Sequence, residues 1–428
     1  MRTWLNRWQL WHKFALLGLL GLLMLAPPVW LFVRESSTKI QALEREHKGL
    51  EPVRGVLEAV TLLQRHRTLA VRLQVGDSET PVSMLLARSQ IDGALAQIQA
   101  LLPSIKTSQI ELLWNKTLAQ WNYLQLILNT ESVAPALVFD THSNAIGLLL
   151  KIRYQLVDDF GFSLDAQAPT YLLGRAALVE SLDLLESLSQ VRDKTLLLQA
   201  QNQISPEENT QLATLLSGIN DDFDLLQNTL DKATRDDLAL HAALNQPLLN
   251  HVQWQQIHSR LYPETMYGMQ KERVSAADLV VLDDILASQT AFSDAALRAL
   301  QDKLDNRLAT LTHTQHALAA GILALALFLV GLASLVARSI TRPLLQAVDI
   351  ARQVAEGTLA AELEKPAGAV AHSGNETGHL LQSLYAMHRS LQQTRAEQLV
   401  GEQQVAQALR EQQVIFEAVS LGIVFAVG

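Results

Sequence analysis

The chain has 428 residues and a formal net charge of −9, with 49% apolar, 18% charged and 5% aromatic residues. It contains no cysteine, which excludes disulfides, thiolate metal sites and thiol nucleophiles. A composition rich in Leu, Ala and Gln but poor in aromatic residues favours helices over sheets. We therefore predict an all-α protein of two or three domains.

Two uncharged segments, 14–33 and 317–337, are long enough to cross a bilayer. About 20 residues of helix span roughly 30 Å of hydrocarbon. The first segment could instead be a cleaved signal peptide, since basic residues precede it. Because Pro27 follows Ala26, the best small residue for cleavage, we expect a retained anchor.

The flanking charges predict the orientation of both spans. Three basic residues precede the first span, and Arg338 and Arg342 follow the second. Positively charged flanks stay in the cytoplasm. The prediction is a bacterial inner-membrane protein with a cytoplasmic N-terminus at 1–13, a periplasmic domain at 35–316 and a cytoplasmic C-terminus. The periplasmic domain has 34 acidic and 23 basic residues, which argues against a nucleic acid partner.

The periplasmic segment is predicted to form successive helices. Apolar residues recur at steps of three, four and seven from Ser36 to about Val75, and no strand-like alternation persists. Short helix-breaking segments are expected at 76–81, 102–104, 130–135 and, more weakly after a long sixth helix, at 245–275, and residues 158–173 are the most irregular part. Such short connections favour an antiparallel bundle. Because several helices exceed the height of one bundle, we predict two four-helix bundles stacked along the membrane normal.

Helix starts are predicted at three places. Pro169 suits the first turn of a new helix, where its missing N–H costs nothing. Ser205 and Pro206 have the form of an N-cap followed by proline at the first helical position. The last helix is expected to start after Ser275 and to continue without interruption into the second span.

Behind the second span lie two apolar seams at heptad spacing. The first consists of Ile340, Leu344, Ala347, Ala351 and Val354, and the second of Leu380, Leu384, Met387 and Leu391. Two short seams joined by an extended connector cannot bury each other fully in one chain. Paired with a second copy they form a parallel four-helix bundle, which predicts a homodimer.

Residues 338–394 resemble the HAMP domain of bacterial transmembrane sensors. The family's Arg-x-Ile-x-Arg-Pro-Leu motif is present from Arg338 to Leu344, and "NETG" at 375–378 is similar to its Asp-Glu-x-Gly motif, with Asn375 in place of the acid. The connector is longer than usual in the family. The resemblance implies signal-relay roles for Arg342, Pro343, Leu344, Gly357, Glu376 and Gly378. The alternative is a plain juxtamembrane coiled coil.

Three further segments carry looser resemblances. The stretches 62–77, 162–173 and 184–208 resemble the large helical sensor domains of chemoreceptors, sensor kinases and cyclic-dinucleotide enzymes. Residues 395–420 are predicted to be a coiled-coil linker. Residues 421–428, "LGIVFAVG", resemble the first strand of a PAS domain, so we expect the front part of a longer receptor. The alternative is a tail that packs on the coil.

Six residues are candidates for ligand binding in the periplasmic domain. Arginines in a bundle crevice could hold a small anion or carboxylate through bidentate contacts. The alternative for Arg65, Arg67 and Arg72 is a solvated face paired with nearby acids. For Asp165, Tyr171 and Arg192 the alternatives are turn chemistry and positions at the edge of the core. The candidates are Arg65, Arg67, Arg72, Asp165, Tyr171 and Arg192.

No catalytic motif, metal site or cofactor site is recognisable in the sequence. The leading hypothesis is a dimeric chemoreceptor-type sensor that responds to a periplasmic small molecule or a binding protein and acts on a cytoplasmic signalling partner. The alternatives are the sensor half of a membrane enzyme, either a histidine kinase or a cyclase or phosphodiesterase for cyclic di-GMP, and a non-signalling adaptor.

Overall fold

The computed structural model describes residues 10–76, 80–105, 107–130, 133–200, 205–261, 275–355 and 376–424. Within these ranges the chain forms helices and no strand, which confirms the predicted all-α class. Predictions that concern Gly357, most of the connector that follows it and 425–428 lie outside the described residues.

The described chain consists of α-helices with one short 3₁₀-helix and one π-helical segment. The α-helices are α1 Leu10–Gln74, α2 Thr80–Ile105, α3 Ser108–Leu128, α4 Pro135–Asp159, α5 Ala168–Arg175, α6 Ser181–Ala200, α7 Pro206–Ala233, α8 Leu238–Ala243, α9 Gln246–Leu261, α10 Ala276–Ala355 and α11 Glu376–Val424. The 3₁₀-helix is Phe162–Leu164, and the π-helical segment Ala176–Glu180 lies between α5 and α6.

The predicted helix starts are found, and their capping explains them. Pro169 lies in the first turn of α5. Ser205 and Glu208 form a capping box at the start of α7, in which each side chain accepts a hydrogen bond from the backbone N–H of the other. Ser275 and Asp278 form the same pair before α10, at distances of 3.2 Å each.

One predicted break is wrong. Helix α2 continues through Pro103 to Ile105, because losing one hydrogen bond near a helix end costs less than exposing Leu102 and Ile105, which are buried.

The predicted long sixth helix, α7, ends at Ala233, and a further interruption precedes Gln246 of α9, at the start of the predicted range 245–275. Between them the Asp237 side chain accepts from the N–H of Leu240 at 3.1 Å and starts α8. The rest of that prediction, around "YPETMYG" at 262–268, lies outside the described residues.

The predicted strand at 421–428 is also wrong where the structure describes it. Residues 421–424 continue α11. A lone strand has no neighbour to accept or donate its backbone hydrogen bonds, whereas a helix satisfies them within itself. The segment 395–420 is helical, as predicted, and belongs to the same uninterrupted helix.

The chain divides into two compact units, and the first spans Val33–Gln315. Most of its core is one cluster of apolar side chains to which α1 to α7, α9 and α10 all contribute, and Val71, Phe139 and Leu197 form a smaller separate cluster. Trp114 and Trp121 lie on one face of α3, as the spacing of seven predicts, and both are buried. The indole N–H of Trp121 donates to Asp92 at 2.8 Å.

The second unit comprises Met1–Phe32 and His316–Gly428. Helices α1 and α10 each contain an apolar window long enough to cross a membrane, and no residue of either window is buried. This agrees with the two predicted spans at the level of length and composition. Leu344 is half-buried and Ala347 is buried, whereas Met387 and Leu391 are exposed. The stacked bundles and the parallel HAMP dimer stay predictions.

Candidate functional site

A fully buried arginine lies at the centre of the first unit. Arg67 on α1 forms salt bridges with Glu186 at 2.6 Å and with Asp193 at 2.9 Å, both from α6. Its remaining N–H groups donate to the hydroxyls of Ser143 and Ser189 at 2.9 and 3.0 Å and to the second oxygen of Glu186 at 3.3 Å. The five donors of the guanidinium therefore all have acceptors within the protein.

The two acids around Arg67 are themselves held by further donors. Gln64 and Gln190 each donate to Glu186 at 2.7 Å. The hydroxyl of Thr68 donates to Asp193 at 3.0 Å. Burial removes the hydration of these charged groups, which is unfavourable, and this set of hydrogen bonds offsets that desolvation free energy. Removing the arginine would leave two buried carboxylates without a counter-charge.

A second set of ion pairs extends from Asp193 to α10. Arg192 donates to Asp193 at 2.7 Å and to Asp283 on α10 at 2.8 Å. Arg72 on α1 reaches the other oxygen of Asp283 at 3.5 Å. We call Arg67, Arg72, Arg192, Asp193 and Asp283 the relay cluster. It joins α1, α6 and α10 through charged groups.

Two histidines lie beside the relay cluster. Their ring nitrogens approach to 2.8 Å between His66 and His142, and Nδ1 of His142 faces the carbonyl of Val138 at 2.7 Å. Burial lowers the pKa of His66 to about 4, with the charge of Arg88 acting in the same direction. Burial also lowers the pKa of His142. Both rings are therefore neutral at neutral pH.

The structure brings three of the six predicted ligand residues together, namely Arg67, Arg72 and Arg192, all in the relay cluster. Arg65 lies on the exposed side of α1. Asp165 forms a bidentate pair with Arg307 of α10, at 2.6 and 3.2 Å.

Near this pair lies Glu46 of α1, and burial together with the charge of Asp165 raises the pKa of Glu46 to about 7.

Tyr171 lies apart from the relay cluster, at a cavity. Anion binding by the predicted residues stays a prediction.

The cavity at Tyr171 has a volume of about 390 Å³ and lies where α4, α5, α6, α7 and the π-helical segment meet. A π-helical turn is rare and is frequent at functional sites, because it inserts one residue and redirects the side chains around it. Glu180 is the last residue of this segment and lines the cavity. Apolar lining comes from side chains such as Val157, Phe162 and Leu225.

Acidic side chains dominate the charged lining of this cavity. Asp158, Glu180, Asp183 and Asp222 line it together with one cation, Arg175. We call these four carboxylates the acidic cavity set. No three of the described acids and histidines lie in a group that could hold a metal ion.

The members of the acidic cavity set differ in how well they are paired. Asp183 accepts from the buried Arg153 at 2.9 Å and from the hydroxyl of Tyr154. Asp222 accepts from Ser187 at 3.1 Å. Burial, with smaller contributions from neighbouring acids, raises the pKa of Asp222.

Glu180 is the member of the set that has a buried oxygen without a hydrogen-bond partner. Its Oε1 accepts from Arg175 at 2.7 Å and from Thr229 at 3.1 Å. Its Oε2 is buried and has no hydrogen-bond partner. Burial raises the pKa of this carboxyl group, as expected when the charged form is poorly compensated.

Sequence reasoning found the arginines but missed the acids that hold them. A usable signal was present, because Glu186, Ser189 and Asp193 recur at steps of three and four and so fall on one face of a helix. Polar residues on a face that is otherwise apolar indicate a buried network. The acidic cavity set had no such signal, since its members come from three helices and the π-helical segment.

No family model matches the chain, and no curated protein matches it. Among solved structures the chain is similar to the NasR transcription antiterminator, with 18% identity and a TM-score of 0.47, over 86% of this chain and 99% of that one. A similarity of this extent carries no conclusion about the fold or function of this chain.

Proposed function

We propose that the chain is a transmembrane signal transducer of the inner membrane. A ligand or a ligand-loaded binding protein shifts the packing of the periplasmic helices, and the shift passes through the second span to the HAMP-like segment and on to a cytoplasmic signalling partner. The relay cluster is the observation that carries this proposal. It joins α1 and α10, the two helices that also contain the apolar windows.

The continuity of α1 and α10 supports mechanical coupling. α10 extends from Ala276 to Ala355 without interruption, so Asp283 and the segment after residue 337 belong to one helix. A displacement of the helix at Asp283 is carried along its axis, because the backbone hydrogen bonds of a helix resist stretching. Helix shifts of about 1–2 Å are typical of switching at such interfaces.

The ion pairs around Asp283 offer one carboxylate to two arginines. Arg72 and Arg192 share it, and we propose that the two signalling states differ in which of these two pairs is made. A ligand shifts such an equilibrium only by the difference between its affinities for the two states. Moving the population from 1:99 to 99:1 requires about 5.5 kcal/mol.

The proposal is tested by spin-label distances in the homodimer, in lipid nanodiscs. Because the chain has no cysteine, a label introduced by Ser339→Cys reports on one site per copy, and this side chain is exposed. Asp283→Asn removes the charge shared by Arg72 and Arg192. We expect it to move the distance between the two labels by about 1–2 Å or to populate a second distance.

Asp284→Asn is the matched control, since Asp284 is the exposed neighbour of Asp283 on the same helix. It should leave the distance distribution unchanged. If Asp283→Asn and Asp284→Asn both give the parental distribution, the relay cluster is not coupled to the segment beyond the second span, and the proposal is wrong.

A further inference from the structure

We propose that the cavity at the π-helical segment binds a small organic cation, a primary ammonium or a guanidinium that carries an apolar body. This inference rests on the proposed function, because it names the class of periplasmic ligand that a transducer of this kind would detect. It differs from the anion that the arginines predict from sequence, and it concerns a different part of the domain.

The charge of the lining selects a cation. Asp158, Glu180, Asp183 and Asp222 face one lining cation, Arg175, and the adjacent Arg153 is already paired with Asp183. Four carboxylates against two guanidinium groups leave a negative balance at the cavity. An anion entering here would be repelled, and an ammonium would be attracted.

The unsatisfied oxygen of Glu180 indicates where the cation is held. The Glu180 side chain is only 3% exposed, and its Oε2 has no donor. Leaving a buried carboxylate oxygen unpaired destabilises the charged form of the group. Oε2 has almost no surface open to the cavity, so we expect the carboxylate to turn towards a bound ammonium, which then donates a charge-assisted hydrogen bond to this oxygen.

The rest of the lining fits the body of such a ligand. Tyr154, Phe162 and Tyr171 present aromatic rings, and apolar side chains complete the lining. Aromatic faces attract cations as well as apolar groups. The volume of about 390 Å³ lies within the range of small-molecule sites. An organic cation fits better than a metal ion, because no three of the described acids and histidines could hold a metal.

The cavity is placed so that its occupancy could change helix packing. Its lining comes from α4 to α7, and α6 also carries Asp193 and Arg192 of the relay cluster. Glu180 lies immediately before α6, at the end of the π-helical segment. Movement of this carboxylate towards a bound cation would displace the start of α6. This helix contacts α1 and α10 through the relay cluster.

The test measures binding of phenethylamine to the full chain in nanodiscs by titration calorimetry, with phenylacetate and 2-phenylethanol as probes of similar shape. We expect a Kd of about 0.1–1 mM for the amine and at least tenfold weaker binding of the other two. Glu180→Gln should weaken amine binding at least tenfold. Glu58→Gln, an exposed carboxylate lining a different cavity, should leave it unchanged.

A second variant keeps the test decisive if Glu180→Gln folds poorly. Leu225→Trp fills the cavity from a partly exposed position and retains all four carboxylates, and it should abolish amine binding. Phenylacetate binding as tight as that of phenethylamine, undetectable amine binding to the parent chain, or unchanged amine binding in Leu225→Trp would each overturn the inference.

The outcome separates this inference from the proposed function. The spin-label experiment needs no ligand, so the relay cluster can be coupled to residue 339 even if the amine does not bind. Conversely, amine binding could depend on Glu180 while Asp283→Asn leaves the label distances unchanged. That result would support the cation site and contradict the proposed signal transduction.

Discussion

Glu46 is a buried carboxylate on α1 with one oxygen that has no hydrogen-bond partner. Burial and the nearby charge of Asp165 raise its pKa from 4.5 to about 7, and Arg307 opposes this only in part. Between these two pH values the folded state retains a proton that the unfolded state has released. The free energy of unfolding therefore falls as the pH rises from 4.5 to 7 and is not affected further by this group above that range.

Glu46→Gln should remove this contribution. We expect the variant to be more stable than the parent chain by about 2–3 kcal/mol at pH 8 and close to it at pH 5. Urea unfolding in detergent, followed by circular dichroism at the two pH values, measures the difference. Glu44→Gln serves as a control because Glu44 is exposed on the same helix. Equal stability differences at both pH values would contradict the raised pKa.

The arginines show what a sequence reveals at the scale of single residues. The basic segment around Arg67 is visible, yet the neighbours Arg65 and Arg67 differ completely, one exposed and the other fully buried. Which of them faces inward depends on Glu186 and Asp193, more than a hundred residues away in the chain. Local spacing places residues on helix faces, but it does not pair faces of different helices.

At the scale of helices, a close approach between α1 and the end of α4 makes one glycine necessary. A Cβ added at Gly49 would lie 2.5 Å from Cγ of Phe160. The chain turns at the next residue, Gly161, whose φ is +89°, a left-handed conformation that glycine adopts without strain. The two glycines together let the aromatic ring of Phe160 contact the α1 backbone.

We expect Gly49→Ala to destabilise the domain by about 1–3 kcal/mol, because the overlap with Phe160 outweighs the gain in helix propensity of about 1 kcal/mol. Gly55→Ala on the same helix is the matched control, since its Cβ would meet only Ile98 at 3.7 Å. It should stabilise by up to about 1 kcal/mol. Thermal unfolding of both variants measures these changes in stability. If Gly49→Ala destabilises the domain less in a Phe160→Ala background, the overlap of the added methyl group with the Phe160 ring is the cause.

Helix existence could be predicted from sequence, and helix ends could be predicted where the capping residues are local. Ser205 with Glu208, and Ser275 with Asp278, are three residues apart and fix their helix starts by themselves. Pro103 misled, because its effect depends on the burial of the residues around it. The strand predicted from residue 421 was wrong because a strand needs a neighbouring strand to pair with, and the local sequence pattern does not show whether one is present.

At the scale of the whole molecule, the apolar seams after the second span require an explanation. Met387 and Leu391 of the second seam are 45% and 43% exposed in the single chain. Further along α11, Val405 and Leu409 are 60% and 59% exposed. Apolar side chains repeated along one long helix lower their free energy by packing against a second helix. The occupant we propose is the same helix of a second copy, in parallel.

Parallel pairing in register makes a sharp prediction, because equivalent residues of the two copies then lie opposite each other on the seam. In lipid nanodiscs, Leu409→Cys in the predicted coiled-coil linker should form a disulfide-linked dimer under mild oxidation, since equivalent seam positions of a two-stranded parallel coiled coil bring two Cα atoms to about 6 Å. Gln407→Cys, two residues away and exposed, points off the seam and should cross-link far less. Equal cross-linking at both positions would indicate random collision. Cross-linking at Gln407→Cys alone would place the seam on a different face of α11 and exclude the predicted parallel dimer.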